Sequence, residues 1–312
     1  MPLDHQSQKL LDATKASGLP PFNWLPYQEA RKRIDKAFII HDTPVEVRKV
    51  EDIEIPCPRG GIVARIYTPA GEGPFPVVVF FHGGGWCLFN LETHDSICRH
   101  LTKQSECIFV SVDYRMAPEA KFPGPVDDAY SATEWVYDNA VRFNGDPNRL
   151  AVAGDSSGGN LAAVVAQLSR DRNGPPIRLQ VLIYPVTDYI FPGTPSYEEV
   201  GTGYSLDRDK MMWYWNHYLK PGEDVNNPYI CPMRAKSLAD LPPAVIVTAE
   251  YDPLRDEGEL YAKRLIEAGV DTTLTRYDGV MHGFVGQWRV LDKGMDALRK
   301  TGSDIKERLY AL

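Results

Sequence analysis

Two glycines flank a serine between a predicted strand and a predicted helix, in the order Gly154, Ser156, Gly158. The short apolar run Leu150–Ala153 before them predicts a buried strand, and the alanine-rich segment Leu161–Arg170 predicts a helix. A serine on such a strand-to-helix turn is exposed on a strained backbone, and this geometry suits a nucleophile. The alternative is an ordinary glycine-rich turn that carries a solvated serine.

A second serine follows directly, so the frame of this motif has to be decided. If Ser157 were the central residue, Asp155 would stand at the position of the first glycine. We therefore predict Ser156 as the nucleophile. The backbone N–H of Ser157 then lies at the start of the helix, where the helix dipole helps it to donate to an oxyanion.

A glycine-rich loop, His82-Gly83-Gly84-Gly85-Trp86, follows the apolar run Pro76–Phe81. Successive glycines let backbone N–H groups approach a bound oxygen, and a phosphate or an oxyanion is the possible ligand. The sequence lacks the lysine and the helix-opening glycine spacing of phosphate-binding loops, so an oxyanion hole is favoured. We predict Gly83 and Gly84 as its donors, and His82 as a residue that stiffens the loop.

A serine hydroxyl becomes a good nucleophile only when a neighbouring base takes its proton, and that base needs an orienting carboxylate. Two histidines, His217 and His282, follow Ser156 in the chain. His217 stands in a predicted helix among aromatic residues, where packing or surface duty is expected. His282 stands in a loop between the last predicted strand and the last predicted helix, so it is the predicted base.

The predicted carboxylate is Asp252, because it follows the strand Ala244–Ala249 at the end of that strand that faces the other candidates. Its rivals are Asp256, expected near a helix N-terminus, and Asp278, which is close to His282 in sequence. The task of Asp252 would be to hold the imidazole tautomer and to stabilise the imidazolium.

Strands that alternate with helices predict a doubly wound, mostly parallel sheet of the α/β class, with ligands at the carboxyl ends of its strands. The expected strands are Ile53–Ile55, Ile62–Tyr67, Pro76–Phe81, Cys107–Asp113, Leu150–Ala153, Leu179–Tyr184, Ala244–Ala249 and Thr272–Tyr277. The expected helices include His94–Gln104, Val126–Asn139, Leu206–Leu219, Glu257–Ala268 and Val290–Leu309. A connection through Pro56–Gly61 joins the first two strands.

An aromatic-rich insert at 188–241 interrupts this alternation, and long inserts of this kind are usually functional. We predict that it forms a cap with the helices of 1–45, over a catalytic core made of 46–187 and 242–312. The alternative is that its aromatic residues only fill a satellite core. The side chains expected in the substrate pocket are Trp86, Tyr204, Met211 and Phe284.

The composition of the 312 residues is that of an ordinary globular protein, with 43% hydrophobic and 24% charged residues. The net charge of −8 disfavours nucleic-acid binding. Five scattered cysteines fit a reducing compartment better than a disulfide framework or a metal site. With no signal peptide and no apolar run long enough for a bilayer, we expect a cytoplasmic protein without membrane insertion; a homodimer stays open.

Five stretches together resemble one known family: H-G-G-G-W at 82–86, D-Y-R-M-A-P-E at 113–119, G-D-S-S-G-G-N-L at 154–161, Y-D-P-L-R-D-E-G at 251–258 and H-G-F at 282–284. In this order they resemble the hormone-sensitive-lipase family of bacterial carboxylesterases. The resemblance implies an α/β-hydrolase fold with an eight-stranded sheet. It also implies a triad of Ser156, Asp252 and His282 and an oxyanion hole of the Gly83, Gly84 and Ser157 amides.

The same resemblance implies hydrolysis of small esters with short to medium acyl chains, without a cofactor. The chain departs from the family where Ser157 replaces the usual alanine after the nucleophile. An acyltransferase or amidase with the same triad is one alternative. The other is a non-catalytic receptor on the same fold, and the retention of His282 speaks against it.

Overall fold

An eight-stranded sheet organises the computed structural model, which describes residues 2–39, 43–57 and 60–311. The strands are β1 (Lys49–Ile55), β2 (Ile62–Thr68), β3 (Phe75–Phe81), β4 (Ile108–Val112), β5 (Gly145–Asp155), β6 (Ile177–Ile183), β7 (Ala244–Tyr251) and β8 (Thr272–Met281). Their order across the sheet is β1-β2-β4-β3-β5-β6-β7-β8. The pairs β1–β2 and β2–β4 are antiparallel and all others are parallel, so the predicted mostly parallel sheet is confirmed.

Strand β3 shows why the central strands are apolar along their whole length. All seven of its residues are buried. Val77 and Val79 belong to the core on one face of the sheet, whereas Val78 and Phe80 belong to the core on the other. Successive side chains of a strand point to opposite faces, so a sheet covered on both faces needs apolar residues at every position.

Helices cover both faces of the sheet. They are α1 (His5–Ala16), α2 (Tyr27–Phe38), α3 (Leu91–Ser105), α4 (Gly124–Asn139), α5 (Ser157–Arg172), α6 (Pro195–Glu199), α7 (Arg208–Tyr218), α8 (Arg255–Glu267) and α9 (Asp292–Tyr310). Buried residues of α4, α5 and α8 join one core, and those of α3 and α9 join the other. This arrangement places α5 directly behind the turn that carries Ser156.

Several element boundaries differ from the sequence prediction by a few residues, and α3 and β1 show local reasons for this. Helix α3 begins at Leu91 rather than at 94, because Asn90 and Thr93 form a reciprocal capping box there. Strand β1 begins at Lys49 rather than at 53, since all seven of its residues pair with β2. The predicted connection at 56–61 includes residues 58 and 59, which lie outside the described residues, as do residues 40–42 of the predicted N-terminal segment.

The N-terminal segment and the aromatic-rich insert contact each other. The Phe22 ring lies 5.6 Å from the Trp213 ring and 5.7 Å from the Tyr214 ring of α7. Helix α1 instead reaches the last strand, where the Asp4 N–H donates to the Gly279 carbonyl at 2.9 Å. The division of the chain into a core and a cap stays a prediction.

Candidate active site

The turn between β5 and α5 holds Ser156 in a conformation that few side chains adopt. Its φ of 55° and ψ of −117° lie outside the ordinary regions for a residue with a Cβ. The neighbouring glycines are required, because a Cβ at Gly154 or Gly158 would overlap the backbone. The strained turn places the serine side chain at the carboxyl end of a central strand.

Two hydrogen bonds link Ser156 to a histidine and a carboxylate from remote loops. The Ser156 Oγ lies 3.0 Å from His282 Nε2, and His282 Nδ1 lies 2.7 Å from Asp252 Oδ2. Because a carboxylate only accepts hydrogen bonds, Nδ1 carries the proton, and Nε2 is free to accept the serine proton. The structure therefore brings the three predicted triad residues together in the geometry that serine activation needs.

The carboxylate of Asp252 is fixed on both sides. Its side chain is completely buried just beyond β7. While Oδ2 faces the imidazole, Oδ1 accepts a hydrogen bond of 2.8 Å from the Leu254 N–H. The rival Asp256 is engaged elsewhere, with the Ser196 N–H at 2.7 Å and with Arg255 at 2.8 Å.

A tyrosine packs beside the histidine ring. The Tyr184 ring centre lies 4.7 Å from that of His282. Burial raises the pKa of the Tyr184 phenol well above its usual value, so the phenol stays neutral next to the imidazole. The His282 carbonyl accepts a hydrogen bond of 2.8 Å from the Ser205 hydroxyl, which connects this loop to the insert.

The glycine loop presents a different pair of amides from the one predicted. The Gly83 N–H donates to Asp155 Oδ1 at 2.8 Å, so it is not available to an oxyanion, and its prediction as a donor is wrong. In the described part of the chain, the N–H groups of Gly84 and Gly85 donate no hydrogen bond. The Ser157 N–H is also unpaired there, as expected for the first residue of a helix.

Anchored carbonyls set the direction of these amides. The Gly83 carbonyl accepts from His82 Nδ1 at 2.8 Å, and the Gly84 carbonyl accepts from the Cys87 and Leu88 N–H groups at 3.1 and 2.9 Å. In a planar trans peptide the next N–H points opposite to the carbonyl. Anchoring these two carbonyls therefore aims the Gly84 and Gly85 N–H groups to the other side of the loop.

The free Gly85 amide was not predicted because the motif contains three glycines and the sequence does not show which amides are already occupied. Gly85 has a φ of 59°, and a Cβ there would overlap the ring of Tyr214. Any other residue would be strained at this φ, and its Cβ would force the Tyr214 ring or the loop to move.

Buried polar groups support the loop from beneath. His82 is fully buried and stacks on Tyr114 with ring centres 4.4 Å apart. Burial lowers the pKa of His82 to about 3, so this residue stays neutral and stiffens the loop without acid–base work. Burial tends to raise the pKa of Asp155, but His94, whose Nε2 lies 3.1 Å from Oδ1, and the Gly83 N–H outweigh burial and lower it. Nothing in the sequence pattern pointed to His94.

The N-terminal helix α2 holds the far side of the same loop. Arg31 donates to the Cys87 carbonyl at 2.6 Å and to the Ala117 carbonyl at 2.7 Å. Its guanidinium also pairs with the Glu119 carboxylate at 2.6 Å. Because Arg31 keeps both carbonyls satisfied, α2 and the glycine loop are fixed to one another.

Two of the residues predicted for the substrate pocket are buried in the core on one face of the sheet. Trp86 is buried and stacks on Tyr218 of α7 with ring centres 4.1 Å apart. Met211 is buried on α7 in the same core. A pocket role for both stays a prediction.

The other two residues lie elsewhere. Phe284 packs against Tyr184 and Tyr277 at 5.8 and 5.2 Å between ring centres, in the core on the opposite face of the sheet from Trp86. The Tyr204 ring lies 5.0 Å from the Tyr251 ring. Their pocket roles also stay predictions.

The described residues were also searched for metal sites and membrane-spanning helices. They contain no group of three or more His, Cys, Asp or Glu side chains placed to hold a metal ion. Within 2–39, 43–57 and 60–311, every helix is too short or too polar to cross a bilayer.

Comparison with known proteins shows extensive similarity. A family model described as the alpha/beta hydrolase fold matches residues 78–286. The carboxylic ester hydrolase LipN of Mycobacterium tuberculosis is 44% identical over 247 residues, which span 77% of this chain and 65% of LipN, just under two thirds. An arylesterase of Saccharolobus solfataricus is 39% identical over 93% of this chain and 94% of its own. A mutant of LAE6, an alpha/beta hydrolase enzyme from the metagenome of Lake Arreo, superposes with a TM-score of 0.94 at 40% identity, covering 98% of both chains.

Proposed function

Because this chain belongs to the α/β-hydrolase family of the hormone-sensitive-lipase type, we propose that it hydrolyses small carboxylic esters through Ser156, His282 and Asp252. The carboxylic ester hydrolase class agrees with its named relatives. The observation that carries the proposal is the unbroken chain of hydrogen bonds from the serine hydroxyl through the imidazole to the buried carboxylate.

The reaction has two steps that use the same proton carrier. In the first, Ser156 Oγ bonds to the ester carbonyl carbon while its proton passes to His282 Nε2. The tetrahedral adduct then expels the alcohol, which leaves with that proton, and an acyl group stays on Ser156. In the second, His282 deprotonates a water that attacks the acyl carbon, and the carboxylic acid leaves as the serine regains its proton.

The oxyanion of both adducts would be held by the amides of Gly84, Gly85 and Ser157. Gly85 takes the place predicted for Gly83, whose N–H is committed to Asp155. Amides that are already aimed in the resting enzyme stabilise the developing charge without reorganisation.

A short to medium acyl chain suits the packing around the loop. Ser156 is only 8% exposed, and the aromatic side chains Trp86, Trp215 and Tyr218 are almost completely buried in mutual contact beside the loop. The space near the glycines is therefore filled by large rigid rings. We propose the segments 1–45 and 188–241 as the cap that covers the ester.

Hydrolysis of p-nitrophenyl esters tests this function. We expect turnover of the butyrate ester, falling with longer chains, and nearly complete loss in Ser156→Ala. Ser169→Ala, which removes another buried serine of α5 that bonds the Pro175 carbonyl, is the matched control and should retain kcat. Undiminished hydrolysis by Ser156→Ala would overturn the assignment.

A further inference from the structure

The hydroxyl of Ser157 has no part in the mechanism above, where only the amide of this residue acts. Its side chain is completely buried. Its Oγ accepts a hydrogen bond of 3.1 Å from the N–H of Trp86, the last residue of the glycine loop. The hydroxyl therefore joins the first turn of α5 to the loop that lies 71 residues earlier in the chain.

Both backbone polar groups of Trp86 are hydrogen-bonded. The Trp86 carbonyl accepts from the Ala117 N–H at 2.8 Å, and Ser157 accepts from the Trp86 N–H. In the described residues, this serine oxygen is the acceptor found for that buried N–H. Without it, the N–H would have to move to find another partner, because an unpaired buried donor is costly.

A tyrosine completes the environment of the hydroxyl. The Tyr114 phenol donates to the His82 carbonyl at 2.8 Å. Burial raises the pKa of Tyr114, and a hydrogen-bonding interaction with the Ser157 side chain opposes that rise. The serine oxygen thus accepts from the Trp86 N–H, and Tyr114 supports the start of the same loop.

Such a tether matters because glycines have little conformational preference of their own. Three successive glycines leave the aim of the amides to the groups that anchor the chain on each side. The Ser157 hydroxyl ties this loop to the residue whose own N–H is the third donor. It therefore fixes the spacing between the two halves of the oxyanion hole.

From this geometry we infer that Ser157 is a positioning residue whose hydroxyl holds the glycine loop in register with the nucleophile turn. The inference rests on the proposed function, since it concerns the oxyanion of that reaction. It predicts an effect on the transition state and not on ester binding, because the amides meet full negative charge only in the tetrahedral adduct.

The test is Ser157→Ala, which removes the acceptor and keeps the backbone amide. We expect kcat for p-nitrophenyl butyrate to fall about tenfold, or about 1.4 kcal/mol of transition-state stabilisation, with KM changed less than twofold. The Ki of a trifluoromethyl ketone, which forms an oxyanion adduct with the nucleophilic serine, should rise by a similar factor. Ser169→Ala, which loses a buried serine hydroxyl far from the loop, should change neither quantity by more than twofold.

A second variant separates positioning from a loss of folding. Ser157→Cys places a sulfur, which is a weak acceptor, where the serine has its oxygen. Its kcat and Ki should therefore lie between those of the wild type and Ser157→Ala. If Ser157→Ala does not fold, the same ordering between Ser157→Cys and the wild type decides the question.

Unchanged kcat and Ki in either folded variant would overturn the positioning role while leaving the proposed function intact. An active Ser156→Ala variant would remove the proposed function itself, and the positioning role with it.

Discussion

Exchanging Asp252 for asparagine changes one oxygen to an amide nitrogen at constant size, so it isolates what the carboxylate does. The outcome depends on the second contact of this side chain. The Leu254 N–H, 2.8 Å from Oδ1, can only donate, so the oxygen of the new amide must face it. The NH₂ group then faces His282 Nδ1, which forces the imidazole proton onto Nε2.

In that tautomer His282 cannot accept the proton of Ser156. A comparable exchange in a serine protease triad lowers kcat by about 10⁴, which is about 5.4 kcal/mol at 1.36 kcal/mol for each tenfold. Rotation of the amide would restore the productive tautomer, but it leaves the buried Leu254 N–H facing another donor at a cost of about 1–3 kcal/mol. That cost alone corresponds to about 5- to 160-fold, and the neutral amide also stabilises the imidazolium less than the carboxylate does. We therefore expect kcat to fall by about 10² to 10⁴.

The assay is steady-state hydrolysis of p-nitrophenyl butyrate, with thermal unfolding to verify that each variant is folded. Asp256→Asn and Asp278→Asn are the matched controls, because both positions were rival candidates for the acid. Each control should retain kcat within about twofold. A fall of less than tenfold in Asp252→Asn, or an equal fall in a control, would refute the tautomer argument.

Two further predictions concern the loop and a buried acid. Gly85→Ala should lower kcat at least tenfold and lower the melting temperature, because strain at a φ of 59° costs about 1–3 kcal/mol and the new Cβ overlaps the Tyr214 ring. The control is Gly286→Ala, where a Cβ meets open space. Equal effects of the two substitutions would contradict this prediction. Burial raises the pKa of Glu257 well above its usual value. The folded state therefore keeps a proton that the unfolded state releases above pH of about 4.5, and wild-type stability falls as pH rises. Between pH of about 4.5 and the folded-state pKa of Glu257, the free energy of unfolding of Glu257→Gln should increase relative to wild type by about 1.4 kcal/mol per pH unit. Urea unfolding of both proteins at pH 5.5 and 8 measures this. An equal stability difference at the two pH values would contradict the prediction.

The residues of the proposed triad could be located from sequence because each stands directly after a strand, and the order of the strands along the chain is readable. In a parallel sheet the carboxyl ends of the strands share one edge. Residues that follow β5, β7 and β8 must therefore lie near one another. The expected position of Ser156, Asp252 and His282 at one edge therefore required no knowledge of side-chain packing.

The proposed oxyanion donors could be predicted only in part. Whether an amide is free depends on its partner, and the partner of Gly83 is a carboxylate 72 residues later. No local pattern records that contact, so the prediction included a glycine whose amide is already hydrogen-bonded. The packing of Phe284 was equally out of reach, since the face of the sheet on which it lies follows from the turn after β8.

Covalent labelling tests directly whether Ser156 is the nucleophile. The wild-type protein is treated with a fluorophosphonate, digested, and the modified residue is located by tandem mass spectrometry. We expect a single phosphonyl adduct on Ser156, which is lost in Ser156→Ala and forms much more slowly when His282 is replaced by alanine. An adduct on Ser157, or labelling that persists in Ser156→Ala, would contradict it.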